Sequence, residues 1–228
     1  MFIIFEMNDQ IKNIEKQISN YQENGLKLFV SSSFQTQSVP LLHIISLIDN
    51  TIPIYFINTG FLFPETHRFK NQLKKDFNLN IIEISSPISK HLQKNDKGNF
   101  LFCNDPNKCC YLNKTLPLDT VLKNYDVWIN GVRKDQNANR KKLNIEEKAP
   151  YNTTRYHPML NWTAKMVWDY IKINDLKKHP LENEGYLSIG CKPCTDKYNA
   201  VFDDTRNTRW AGMKKTECGL HTDLIVKQ

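Results

Sequence analysis

Apolar residues recur at three- and four-residue steps at Ile11, Ile14, Ile18 and Tyr21, which predicts an amphipathic helix over residues 8–23 that rests one face on a core. An apolar run at 26–30 then reads as a short strand. It is followed by the polar stretch S-S-S-F-Q-T-Q-S at 31–38 and a predicted helix at 39–48, whose first turn suits Pro40 because the missing N–H has no intrahelical partner there. The pattern repeats. A buried-type strand at 53–58, P-I-Y-F-I-N, leads through T-G-F-L-F-P-E-T-H-R-F into a helix reaching Phe77, and 80–85 reads as a third strand. A further strand is expected at 126–130, and Asn161 is placed to cap a helix over 162–175 in which Trp162, Met166 and Ile173 face the core. Strands alternating with helices imply an α/β fold, a parallel twisted sheet with flanking helices, and ligands at the carboxyl ends of the strands.

Two loops at such ends carry candidate chemistry. Strand, small polar loop and helix N-terminus is an arrangement that holds phosphate or sulfate on free backbone N–H groups, with the hydroxyls of Ser31, Ser32 and Ser33 as added donors. Alone it is a weak signal, since serine-rich loops commonly cap helices. The loop 133–140 carries Arg133 and Arg140, whose guanidinium groups can clamp such anions bidentately, although a basic run continuing into Lys141 and Lys142 also reads as a solvated surface.

Composition narrows the class. The 228 residues suffice for one full-sized core with an appended tail, and the net charge of +7 favours anionic partners without choosing between nucleotides and nucleic acid. The apolar opening at 1–5 is too short for a signal peptide or a membrane span, which points to the cytoplasm. Six cysteines in that compartment indicate metal or redox chemistry rather than a disulfide framework. The pair Cys109 and Cys110, with Cys191 and Cys194 of G-Y-L-S-I-G-C-K-P-C-T, gives four thiolates, the set that an iron-sulfur cluster takes and that structural zinc also takes. Lys114 lies four positions after Cys110, so on a helix its ammonium shares that face and offsets the charge of a four-thiolate centre. His43, His67, His91, His157 and His179 show no metal-ligand spacing.

The run S-S-S-F-Q-T-Q-S, then N-T-G-F-L-F-P-E-T-H-R-F, C-C-Y-L-N-K-T-L-P-L, W-I-N-G-V-R-K-D-Q-N-A-N-R, Y-L-S-I-G-C-K-P-C-T and R-W-A-G-M-K-K-T-E-C-G-L-H, in that order over residues 26–221, strongly resembles the adenylyl-sulfate and phosphoadenylyl-sulfate reductases. The resemblance implies an adenine-nucleotide alpha hydrolase-like fold: a nucleotide-binding reductase domain over 1–210 and a mobile tail over 211–228. It implies a 4Fe-4S cluster on Cys109, Cys110, Cys191 and Cys194 with Lys114 beside it. Substrate contacts follow at Ser31, Ser32, Ser33, Gln37, Thr59, Gly60, Arg133, Arg140, Arg206 and Arg209.

In the same way Cys218 of E-C-G-L-H becomes the nucleophile, with His221, Lys214 and Lys215 as cations that favour its thiolate. The implied activity is reduction of adenylyl sulfate to sulfite and AMP through an S-sulfonated Cys218, with thioredoxin or glutaredoxin as electron donor and neither nucleic acid nor membrane as partner. A homo-oligomer is left open. This chain departs from the family at Asn58, where Asp is usual before Thr-Gly, in a serine loop without glycine, and at Cys103, which reads as an incidental core thiol. Three alternatives are a phosphoadenylyl-sulfate reductase, an ATP-dependent adenylating enzyme or thiolase, against which the missing S-G-G-x-D-S loop argues, and a metal-containing nucleic-acid-binding module, which lacks a basic stripe interleaved with aromatics.

Overall fold

A computed structural model describes residues 2–198, 208–210, 215 and 217–224. A six-stranded sheet forms its centre: β1 (Leu28–Ser31), β2 (Ile54–Asn58), β3 (Ile81–Ser85), β4 (Val127–Asn130), β5 (Glu146–Lys148) and β6 (Thr154–Tyr156) lie in the order β3-β2-β1-β4-β6-β5. All neighbours are parallel except the edge pair β5 and β6. The order reverses between β1 and β4, so the crevice at their carboxyl ends is the place where this topology offers a ligand site.

The central strands bury both faces, and their period of two sorts the side chains. Leu28, Val30, Ile54, Phe56, Val127 and Ile129 point into one core with α1 (Phe2–Glu23), α2 (Val39–Asp49), α3 (Pro64–Asp76) and α7 (Ala164–Ile173). The intervening Phe29 and Trp128 point to the opposite face, where Leu118, Val121 and Leu122 of α6 (Leu116–Leu122) and Leu224 of the C-terminal segment cover them. No helix among the described residues is long and apolar enough to cross a membrane.

Several local expectations are corrected. Asn161 is exposed and caps nothing; Thr163, in extended backbone directly before α7, accepts from the Met166 N–H at 3.2 Å. Trp162 and Met166 are core, but Ile173, in the last turn of α7, is 54% exposed. The edge hairpin of β5 and β6 gave no apolar signal because β5 reads Glu-Glu-Lys, the charged composition that protects a sheet edge. Between α5 (Pro106–Cys110) and α6 the chain opens into a π turn, Tyr111–Thr115, where a regular helix was expected to carry Lys114.

Candidate active site around Cys218 and the cysteine pairs

The four paired cysteines meet in space. Cys109, Cys110, Cys191 and Cys194 line one cavity together with Thr59, Phe61, Asn113 and Lys114, and all four are free thiols. As placed, no three His, Cys, Asp or Glu side chains among the described residues stand at metal-ligand spacing, so the shared cavity and the chemistry of the donor set are what bear on a metal. Four soft sulfurs, with no carboxylate or imidazole among the described residues that line the cavity, fit a cluster or zinc. Burial and the neighbouring Cys110 push the Cys109 thiol up to about 11, and burial likewise raises Cys110 and Cys194. Thiols that resist ionisation in this way need a cation to hold them as thiolates.

Lysine supplies cations from two sides. Burial acts to lower the Lys114 pKa, but Cys218, Cys191 and Cys110 outweigh it and hold the ammonium well above its ordinary range. Lys114 Nζ donates toward Cys218 Sγ at 3.8 Å, so it stands between the cysteine pairs and the tail cysteine. Lys90, which no motif marked, hydrogen-bonds Asn113 Oδ1 and lies over the Phe61 ring; Asn113 in turn donates to Cys109 Sγ at 3.6 Å. Burial lowers the Lys90 pKa, and Cys109 and Cys191 partly offset that.

The structure divides the expected substrate contacts into groups. Thr59 belongs to the cysteine cavity, with its hydroxyl 3.2 Å from Cys191 Sγ. Gly60 sits at φ +72, a backbone conformation that asks for glycine, while the Lys90 side-chain end that a Cβ would meet at 2.6 Å is flexible enough to move aside. Asn58 has a definite role: its Oδ1 accepts from the Gly60 N–H at 2.9 Å while its Nδ2 donates to Glu83 at 2.8 Å. Aspartate could make the first bond but not the second. In the serine loop the left-handed turn that glycine would provide is made by Phe34 at φ +54, its ring packed edge-on to Phe56. Ser31, Ser32 and Ser33 accept from Trp128 Nε1, the Phe34 N–H and Gln35 Nε2 respectively, which leaves each hydroxyl its own proton to donate.

Gln37 accepts from Arg133 Nη1 at 2.9 Å, and Arg133 is also held by Asp135. Arg140 is paired with Glu217 rather than turned toward the serine loop. Arg209 lies against the second cysteine pair, donating to the Cys194 carbonyl at 3.2 Å and stacking on Trp210. Lys215 donates to Asn107 in the first turn of α5. Cys103 is exposed on the short helix α4 (Leu101–Asn104), not core as its residue type suggested. His43 and His179 are held by Tyr170 and Thr66, while His157 bonds Asn130 through Nδ1 and leaves its buried Nε2 without a hydrogen bond. Arg206 and Lys214 lie outside the described residues, as does the side chain of His221.

Residues 27–197 match the family described as phosphoadenosine phosphosulfate reductase domain. The chain belongs to this family. The chain is 37% identical over 205 residues to adenosine 5'-phosphosulfate reductase 1 of Bacillus subtilis, covering 88% of this chain and 87% of that one. It is 35% identical over 222 residues to adenosine 5'-phosphosulfate reductase of Bacillus cereus, covering 96% and 94%. The crystal structure of phosphoadenylyl-sulfate reductase from Candida auris superposes with a TM-score of 0.65 at 18% identity, over 82% of this chain and 94% of that one. In the reductase family's terms, the fold and the order of motifs are as the sequence led one to expect.

Proposed function

We propose that the protein reduces adenosine 5'-phosphosulfate, that is adenylyl sulfate, to sulfite and AMP in the cytoplasm, with a dithiol protein such as thioredoxin or glutaredoxin as donor. The observation that carries this reading is the meeting of Cys218 with Lys114 at the wall of the four-cysteine cavity in a member of this family. The Cys218 thiolate attacks the substrate's sulfur, the bond from that sulfur to the phosphate oxygen breaks, and AMP leaves with the electron pair. A thiolate of the donor then attacks Cys218 Sγ, sulfite leaves, and the donor's second thiol resolves the mixed disulfide, so both electrons come from the dithiol.

The ammonium of Lys114 stabilises the thiolate before attack, where a fixed charge in an enclosed site counts for more than in water. Hydroxyls of Ser31, Ser32 and Ser33 at the end of β1 donate to the substrate's anionic oxygens, and Arg133, Arg206 and Arg209 add positive charge toward the leaving phosphate. Cys109, Cys110, Cys191 and Cys194 would hold a 4Fe-4S cluster, whose contribution when bound is electrostatic and structural, tying the α5 segment to the 191–194 turn. Steady-state assays test the substrate: kcat/KM should favour adenylyl sulfate over its 3'-phosphorylated form. A preference for the phosphorylated nucleotide would move the chain to the other branch of its family.

A further inference from the structure

Glu217, directly before the proposed nucleophile, is buried, and its carboxylate accepts four hydrogen bonds. Two come from Arg140, Nε to Oε2 and Nη2 to Oε1, both at 2.8 Å. A third comes from Asn137 Nδ2 at 2.7 Å and the fourth from the Cys218 N–H at 2.9 Å. Four bonds fill the capacity of a carboxylate. All three nitrogens of the Arg140 guanidinium are engaged as well, since Nη1 donates to Gln136, and Asn137 Oδ1 holds the Arg140 backbone N–H at 2.8 Å.

The consequence for Cys218 is geometric. Its N–H is fixed by the preceding side chain, and on its other side Asp223 bonds Thr115 at 3.1 Å while Leu224 is buried against the sheet. The segment is therefore pinned at both ends with Cys218 Sγ facing Lys114. A bidentate, largely buried ion pair resists loss of either partner, because the remaining charge is left unpaired.

We propose that Glu217 is a positioning residue for the nucleophile and that Arg140 is its anchor, so that Arg140 serves the tail and not the substrate. This rests on the reading of Cys218 above. The variants are Glu217→Gln, Arg140→Gln, their combination, and Glu217→Asp, each as full-length protein prepared anaerobically. Three quantities are measured: the rate of the AMP burst with adenylyl sulfate and no reductant, the dissociation constant of AMP, and the rate at which iodoacetamide alkylates the Cys218 peptide.

Each of the two Gln variants should slow the burst on the order of a hundredfold, the cost of a misplaced reacting atom, and the double variant should be no slower than either. Glu217→Asp, which keeps the charge on a shorter arm, should fall between. AMP affinity should stay at the parent value, and alkylation of Cys218 should accelerate in all four. Weakened AMP binding in Arg140→Gln alone, or burst losses that multiply in the double variant, would overturn the assignment and return Arg140 to the substrate. A parent without any burst would remove the nucleophile reading, whereas the alkylation rates, which need no substrate, decide the anchor independently.

Discussion

Lys114 and Asn58 show what single residues add to this site. Replacing Lys114 by Ala removes the ammonium at 3.8 Å from Cys218 Sγ, and the AMP burst should slow by roughly a hundredfold, because the attacking thiolate loses the fixed cation beside it. AMP affinity should change little, since the contact is to sulfur. At Asn58 the substitution to Asp keeps the bond to the Gly60 N–H but sets a second carboxylate against Glu83, which Lys70 already pairs. A cost of about 1 kcal/mol in thermal unfolding at neutral pH is expected, relieved as pH falls through the carboxylate range. The residue type alone did not reveal this role, because Glu83 lies on the neighbouring strand and only the β2–β3 register brings the two together. Lys90 was invisible for a similar reason: its partner Asn113 is distant in sequence and neither belongs to a spacing pattern.

Among the elements, the C-terminal segment departs most from what a short polar end suggests. Leu224 is 3% exposed, and truncating it to Ala should cost about 2 kcal/mol of docking, read as faster alkylation of Cys218 and earlier proteolysis near residue 217. The same docking has a pH signature. Burial raises the Glu217 pKa, but Arg140, the Cys218 N–H and Asn137 outweigh it and bring it to about 2, below the 4.5 of an unpaired glutamate. A depressed carboxylate stabilises the docked form above its unperturbed pKa and loses that contribution as pH falls, so the tail should stay docked down to about pH 4.5 and release between there and pH 2. The difference corresponds to something on the order of 3 kcal/mol, and among the described residues Arg140 and Arg155 are charges that face the group. Strands β1 to β4 and helices α2 and α3 were legible to within a few residues because both-face burial and 3.6-residue spacing write themselves into composition. The hairpin of β5 and β6 was not, and neither was the cap at Thr163, two positions past the more obvious Asn161.

For the whole molecule, the two cysteine pairs share one cavity and the tail reaches its wall through the contact of Cys218 with Lys114, although the three stretches of chain are far apart in sequence. The types and order of those residues were readable in the sequence. The pairing of Arg140 with Glu217, 77 positions apart, was not, since any of several arginines could answer a lone glutamate. Replacement of any one of Cys109, Cys110, Cys191 or Cys194 by Ser should lower both the iron content and the thermal stability of anaerobically purified protein, because a ligand set that joins distant segments adds its binding energy to folding. Protein carrying zinc but no iron or sulfide would contradict the cluster.

The central claim, that Cys218 carries the sulfur, is tested most directly by mass spectrometry of protein incubated with adenylyl sulfate in the absence of reductant. The account predicts a single sulfonate on the Cys218 peptide, one AMP released per chain, and loss of the adduct with release of sulfite once thioredoxin is added. A sulfonate on exposed Cys103 instead, or sulfite production at the parent rate by Cys218→Ser, would contradict it.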